Sequence, residues 1–406
     1  MTRLLTMLCA TLIFPVAWAA EAAQSAASDQ AEAVKGNNAF AVELYSQLKS
    51  QPGNLFFSPE SISTALAMTY AGARGETATE MAKTLHFMLP PEKLHPAMGA
   101  LLQGLNAAHD GYQLKVANAL WGQQGYTFLD DFIKLTNDNY AAGLNQVDFK
   151  NATDAARMTI NQWVEQQTEN EIKDLIAPGI LDGKTRLVLT NAIYFKGDWQ
   201  TQFKKEDTKD EDFHLSSTQT IKAPMMHLTG NFNYLDGGTF QALEIPYKDK
   251  ELSMVVFLPK DKDGLAAMDQ SLTADSVQKW LEQLRPASKV IITLPKFKMT
   301  HQFELGDTLQ VMGIRQAFGP AADFAGMTGK RNLFISAVIH KAFVDVNEEG
   351  TEAAGATAVV MHAYKNAVSM KPSPIIFRAD HPFLFVIRDN KSGGILFMGR
   401  VTDPTK

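Results

Sequence analysis

Few residues in this chain stand in settings that could do chemistry, and most of those settings fail it. Gly179–Thr185 (GILDGKT) has the glycine, lysine and threonine order of a phosphate-binding loop. It is one residue short between its glycines and leads into an apolar run. A phosphate loop must instead open a helix whose N-terminal N–H groups face the anion. The stretch reads as a turn. Ser-x-x-Lys, the spacing of an exported serine β-lactamase, occurs at Ser46–Lys49 and Ser276–Lys279, but no S-D-N or K-T-G follows. G-x-S-x-G and H-E-x-x-H are absent, and the nine histidines are dispersed without metal-ligand spacing. No catalytic residue, metal site or cofactor is expected. Asn151-Ala152-Thr153 is a glycosylation sequon only in a eukaryotic host.

Four polar residues stand in apolar surroundings: Ser58, Ser61, Asn191 and His340. Each alone fits a cap or a satisfied core hydrogen bond. Lys296 and Glu348, taken alone, fit two unrelated surface charges of little worth. The stretch from Glu348 to Pro382 is less ordinary. If it is extended, Thr351, Ala353, Gly355, Thr357, Val359, Met361 and Ala363 share one face, and Glu352, Ala354, Ala356, Ala358, Val360 and His362 share the other. Alanine and glycine are poor strand residues, so composition by itself points to an Ala-rich loop or a marginal helix. Side chains this small would also pass easily between two neighbouring strands.

The elements around these residues are mixed. Phe40, Leu44 and Leu48, with Ala41 and Tyr45 beside them, predict a helix over 38–49. Ser58 is a good N-cap, with Pro59 at the first helical position. Thr77 to Glu80 has the pattern of a capping box for a third helix. Ala156, Ile160, Trp163 and Val164 predict a helix over 154–168, and Val277, Trp280, Leu281 and Leu284 predict another. Leu187–Phe195 is almost continuously apolar, as a strand covered on both faces is. Leu252–Leu258 and Val290–Leu294 are similar. Leu384–Ile387 and Ile395–Val401, joined by a turn at Asp389–Gly394, read as a hairpin. Helices mixed with antiparallel-leaning strands, and no linker between them, predict one large α+β domain.

Arg3, the apolar run Leu4–Val16 and Ala17-Trp18-Ala19 form a signal peptide over residues 1–20, cleaved after Ala19 or Ala20. Residues 21–34, rich in Ala, Gln and Ser, are expected to be flexible. The only cysteine, Cys9, lies in the leader, so the mature chain has no disulfide or thiol chemistry. An exported protein without disulfides points to a bacterial periplasmic or secreted product. A hydrophobic content of 45% and a charged content of 20% are those of an ordinary globular protein. A net charge of −6, with lysines scattered, argues against a nucleic-acid binder, and no second apolar run is long enough to cross a membrane.

EEGTEAAGATA at Glu348–Ala358 resembles the hinge of the serpins, the serine protease inhibitors. FRADHPFLFVIRD at Phe377–Asp389 and ILFMGRVTDP at Ile395–Pro404 resemble their C-terminal signature. NLFFSPESIS at Asn54–Ser63 and NAIYFKGDW at Asn191–Trp199 match as well, in the family's order. The resemblance runs from about residue 35 to the end. It implies a single domain over 35–406, with three β-sheets, eight or nine helices and an exposed reactive-centre loop at about 348–376. It gathers Ser58, Ser61, Asn191 and His340 into a shutter beneath the middle of the main sheet. It puts Trp199 and Lys296 in a breach at the top of that sheet, with Lys296 paired to Glu348. The hinge is Glu348, Gly350, Thr351, Ala353, Ala354, Gly355, Ala356 and Thr357.

The activity implied is that of a suicide substrate. A target serine protease, or a cysteine protease, attacks the loop and is held as an acyl-enzyme ester. The cleaved strand then enters the large sheet, a strain-releasing switch for which serpins are a standing example. About a dozen residues gaining ladder hydrogen bonds at roughly 1 kcal/mol each, plus apolar burial, give on the order of 10 kcal/mol. Neither charge nor proline stands at Thr351, Ala353, Gly355 or Thr357 to block entry. Counting from Glu348 by the family's spacing gives Tyr364–Lys365 as the reactive bond, which suits chymotrypsin-like, cathepsin G-like or subtilisin-like proteases. Counting back from Pro382 reaches Lys371, because the loop is longer than usual, but Pro372 follows it and resists cleavage. Lys365 and Met370 remain alternative bait residues. The expected protein is a monomer that binds no nucleic acid or membrane. The alternative is a non-inhibitory member acting as a carrier or chaperone.

Overall fold

The computed structural model describes residues 14–140, 144–351 and 373–406. Ten α-helices lie within them: α1 (Phe14–Leu48), α2 (Pro59–Tyr70), α3 (Gly75–Thr84), α4 (Pro91–Asn106), α5 (Asp130–Tyr140), α6 (Thr153–Gln167), α7 (Leu265–Ser271), α8 (Ala274–Gln283), α9 (Gly306–Met312) and α10 (Ala325–Thr328). The buried face of α1 carries Phe40, Leu44, Tyr45 and Leu48, as the sequence predicts. The turn that follows it is held from a distant strand. Arg400 donates Nη1–H to the Lys49 carbonyl and Nε–H to the Gly53 carbonyl, each at 2.9 Å, and Nη2–H to Gln51.

Two local readings are corrected. Residues 21–34 are not a flexible lead but part of α1. The Asp29–Lys93 ion pair at 3.3 Å and the burial of Val34 tie the described part of this stretch to the domain. Thr77 is not an N-cap, because α3 begins before it. Its hydroxyl accepts from the Asp323 N–H at 3.0 Å, and Glu80 accepts from the N–H groups of Arg315 and Gln316 at 2.8 and 2.7 Å. The capping pattern serves a tertiary junction. Ser58 does cap α2, accepting from the Ser61 N–H at 3.2 Å. Ser276, half of one Ser-x-x-Lys pair, is a capping-box residue of α8, and Lys184 N–H donates to Asp182 in the Gly179–Thr185 turn.

A six-stranded sheet has the order β10 (Phe297–Glu304), β11 (Ile335–Val346), β12 (Gly350–Thr351), β4 (Leu187–Asp198), β2 (Tyr112–Gln123), β3 (Leu144–Val147). A nine-stranded sheet has the order β1 (Leu55–Phe57), β15 (Ile395–Val401), β14 (Phe383–Asp389), β8 (Leu252–Pro259), β7 (Phe240–Pro246), β6 (Thr220–Asp236), β9 (Arg285–Pro295), β13 (Ile375–Arg378), with β5 (Lys209–His214) also on β6. The three expected sheets are thus two hydrogen-bonded ones among the described residues. The 17-residue β6 joins two halves, pairing with β7 only over Asn233–Asp236 and kinking its register with β9 between Gly230 and Phe232.

Both faces of β4 are buried, which explains its unbroken apolar run. On one face Ile193 and Phe195 meet Val256, Phe385 and Ile245 of the nine-stranded sheet. On the other, Val188 and Ala192 pack with Ala337 and Ile339 beneath Ile160, Val164, Leu175 and Ile176 of α6 and the segment after it. Among the described residues no helix is long and apolar enough to cross a membrane.

Candidate functional site: a seam in the six-stranded sheet

β4 and β11 are direct parallel neighbours from Leu187↔Ile335 to Tyr194↔Phe343. At their upper ends β12 stands between them, antiparallel to both, with Thr351 opposite Val346 and Gly197. The sheet is therefore closed along most of its length and split at the top by a two-residue strand. Glycine is required at position 350. A Cβ there would sit 2.0 Å from the Gly197 carbonyl oxygen and 2.7 Å from the Asp198 Cα.

Below the split, the seam is pinned by neutral side chains. Asn191 and His340 are directly paired across it. The His340 Nε2 accepts from the Ser58 N–H at 3.1 Å, so the proton of the neutral ring lies on Nδ1, which bonds to the Asn191 Oδ1. Burial pushes the His340 pKa down to about 3, which keeps the ring neutral. The Asn191 amide donates to the Ser61 hydroxyl at 2.5 Å and to the Asn118 Oδ1. Ser61 donates to the same Asn118 oxygen at 3.1 Å, and the Asn118 amide donates to the Ser61 carbonyl at 3.2 Å. Ser58 donates to the Leu396 carbonyl at 2.7 Å. The cluster ties β2, β4 and β11 to α2 and β15.

At the split the chemistry is ionic. The Glu348 carboxylate, only 5% exposed, takes Lys296 at 2.8 Å and the Thr208 hydroxyl at 2.8 Å. Burial works to raise its pKa, but the hydrogen bonds from Lys296, its own backbone N–H and Thr208, with the Lys296 charge, outweigh it and hold the group below the usual range. Glu349 pairs with Lys205 at 2.5 Å. Trp199 holds the same turn by its backbone, donating its indole N–H to the Asn347 carbonyl and its amide N–H to the Glu349 carbonyl, both at 2.9 Å. Lys296, Lys205, Glu348, Glu349 and Asn347 edge an open cleft of about 440 Å³.

A protein-family model described as "Serpin (serine protease inhibitor)" matches residues 35–404. The chain belongs to the serpin family. It is 43% identical over 380 residues to the leukocyte elastase inhibitor of Bos taurus, a match covering 91% of this chain and 98% of that one. Its fold is similar to that of a highly specific serpin of the insect Tenebrio molitor, with a TM-score of 0.82, 34% identity and coverage of 92% and 98%. Human thyroxine-binding globulin, solved with its hormone, gives a TM-score of 0.83 at 31% identity, with coverage of 93% and 100%.

In this serpin, Ser58, Ser61, Asn191 and His340 form one hydrogen-bonded cluster. Trp199, Lys296, Glu348, Gly350 and Thr351 meet at the split. Ala353, Ala354, Gly355, Ala356, Thr357, Tyr364, Lys365, Met370 and Lys371 lie outside the described residues. Sequence reasoning missed Asn118, Thr208, Lys205, Glu349 and Tyr247. Asn118 carries no local signal, because only the pairing of β2 with β4 sets it opposite Asn191. Glu349 was legible as the second acid of the EEG triplet.

Proposed function

We propose that this serpin inhibits a serine protease as a suicide substrate, and that the seam between β4 and β11 takes up its cleaved loop. The observation that carries this is the register of β12. It runs antiparallel to two strands that are parallel to each other, so its continuation would exchange one parallel ladder for two antiparallel ones, the more stable pairing per residue. Continuing both registers six positions pairs Thr357 with Asn191 and with His340. Its hydroxyl can donate and accept there, which replaces the Asn191–His340 bond that insertion must break. If the strand continued in this register, Ala353, Gly355 and Thr357 would follow Thr351 on the inward face, and all four add little bulk.

The reactive bond is Tyr364–Lys365 by the hinge count, and the target is a chymotrypsin-like, cathepsin G-like or subtilisin-like protease. The acyl complex is 1:1 with a monomeric inhibitor, and the chain has inhibitory rather than enzymatic activity. The protein is exported to the periplasm or beyond by a bacterial cell, with its leader cut near Ala19 or Ala20. This last reading rests on the leader and the missing disulfides alone, and N-terminal sequencing of the secreted form tests it.

Incubation with chymotrypsin, followed by a denaturing gel and mass spectrometry of the released peptide, tests the mechanism. The expected result is a band at the summed mass and a C-terminal peptide beginning at Lys365. Thr351→Arg, which buries an unpaired charge in the seam, is expected to abolish the complex while leaving loop cleavage intact. A stable complex with Thr351→Arg overturns the insertion mechanism. Cleavage of the wild-type loop without a complex, across several proteases, favours a non-inhibitory carrier or chaperone.

A further inference from the structure

Tyr247 follows β7 and is wholly buried. Its ring is fixed on two sides. Trp199 stacks on it at 4.6 Å with 13° between the planes, and Phe195 meets it edge-on at 5.1 Å. Its backbone bridges Trp199, and its ring lies against Gly197, where a Cβ would come within 3.0 Å. What projects from this braced ring is the hydroxyl, 2.7 Å from the Thr351 hydroxyl. Burial pushes the phenol upward in pKa against the lowering hydrogen bond from Thr351, so it stays neutral. Thr351 is also wholly buried.

We infer that the Tyr247 hydroxyl is the seat of the loop's first inward side chain and sets whether β12 stands in the seam. Tyr247 is a positioning residue. It fixes Thr351, and through Trp199 it steadies the carbonyls of Asn347 and Glu349 on either side of Glu348. A buried hydroxyl without a partner is costly, whereas replacing both partners by apolar groups of similar shape is nearly neutral. Without the phenol oxygen, Thr351 is therefore drawn toward water and β12 leaves the seam more often. Insertion must then begin from an unseated strand, and competing hydrolysis of the ester releases more intact protease. This last consequence rests on the loop-insertion reading; the seating of β12 does not.

The test uses Tyr247→Phe, Thr351→Val and the double variant of the full chain. Hydrogen exchange in a peptide covering Val346 to Thr351 reads the seating directly. Tyr247→Phe is expected to speed exchange at Gly350 and Thr351 roughly tenfold, the loss of one buried hydrogen bond. It is also expected to raise the number of inhibitor molecules consumed per chymotrypsin complex. Adding Thr351→Val is expected to restore both, because the pair is then apolar on each side. A merely structural role for Tyr247 predicts no such rescue. Unchanged exchange in Tyr247→Phe, or a double variant no better than Tyr247→Phe, overturns the inference. If wild-type protein forms no complex, the inhibitory reading fails while the exchange measurement still decides the seating.

Discussion

Six positions apart on the same two strands, the seam is held by opposite chemistries. At Asn191 and His340 every contact is neutral and buried, and the bonds share atoms, so Asn118 and Ser61 lose partners together if Asn191 moves. Beside Gly197 and Val346, outside the buried Tyr247–Thr351 contact, the side-chain pairs that hold the turn are ionic and reach solvent, since the Lys296 side chain is 37% exposed and that of Lys205 69%. A buried neutral network opens as a unit and ignores salt. Exposed ion pairs open one at a time and are screened. The top of the seam can thus admit a strand by small steps, while the middle resists until the whole network is exchanged.

Asn191→Ala has the largest expected effect. It leaves the buried His340 Nδ1–H without an acceptor and the Asn118 oxygen with the Ser61 hydroxyl alone, which is expected to cost about 3 kcal/mol. The midpoint of thermal unfolding at a fixed scan rate should fall by several degrees, equally in low and high salt. A midpoint equal to wild type would mean that packing, not this network, closes the seam.

The parts legible in the sequence are those decided locally. Ser58 followed by Pro59 announces a helix start, and the unbroken apolar run of β4 announces burial on two faces. Asn191 and His340 needed the family resemblance, because a lone polar residue in an apolar stretch has many uses. Asn118 and Tyr247 were invisible, since their partners come from strands far along the chain and only the register joins them. Thr77 and Glu80 misled for the same reason: a pattern that caps a helix also suits backbone N–H groups from residues 315, 316 and 323. The described part of 21–34 lacks an apolar period, so its helix was not predictable from patterning.

The buried neutral histidine also makes stability depend on pH. The folded His340 titrates at about 3, below the ordinary 6.5, so in between the unfolded chain binds the proton and the fold does not. Its stability is whole above 6.5 and falls as the pH drops, by about 1.4 kcal/mol at pH 5.5. Buried His95, lowered to about 4, has the same sign. Glu60 opposes them: burial, against a lowering hydrogen bond from Thr64, raises it to about 7, so it favours the fold as the pH falls. Unfolding midpoints between pH 7 and 5 should decline, less steeply in His95→Gln and more steeply in Glu60→Gln. Glu348, held low, keeps its contribution through this window and loses it only as the pH falls into the carboxylate range. A flat profile in Glu60→Gln would contradict a neutral, buried His340.

The smallest effect lies at the ionic end. Lys296→Ala leaves Glu348 with the Thr208 hydroxyl and its own backbone contact, so the carboxylate is not stranded. Because the lysine is more than one-third exposed, solvent screening limits the loss to about 1 kcal/mol or less. The loss should shrink further between about 0.05 M and about 1 M salt, as the screening length contracts from over 10 Å to about 3 Å. The quantity to compare is the difference in unfolding midpoint between Lys296→Ala and wild type at the two salt concentrations, set beside the same difference for Asn191→Ala. If both differences respond to salt alike, the two ends of the seam are not held by different forces, and the stepwise entry argued from them fails.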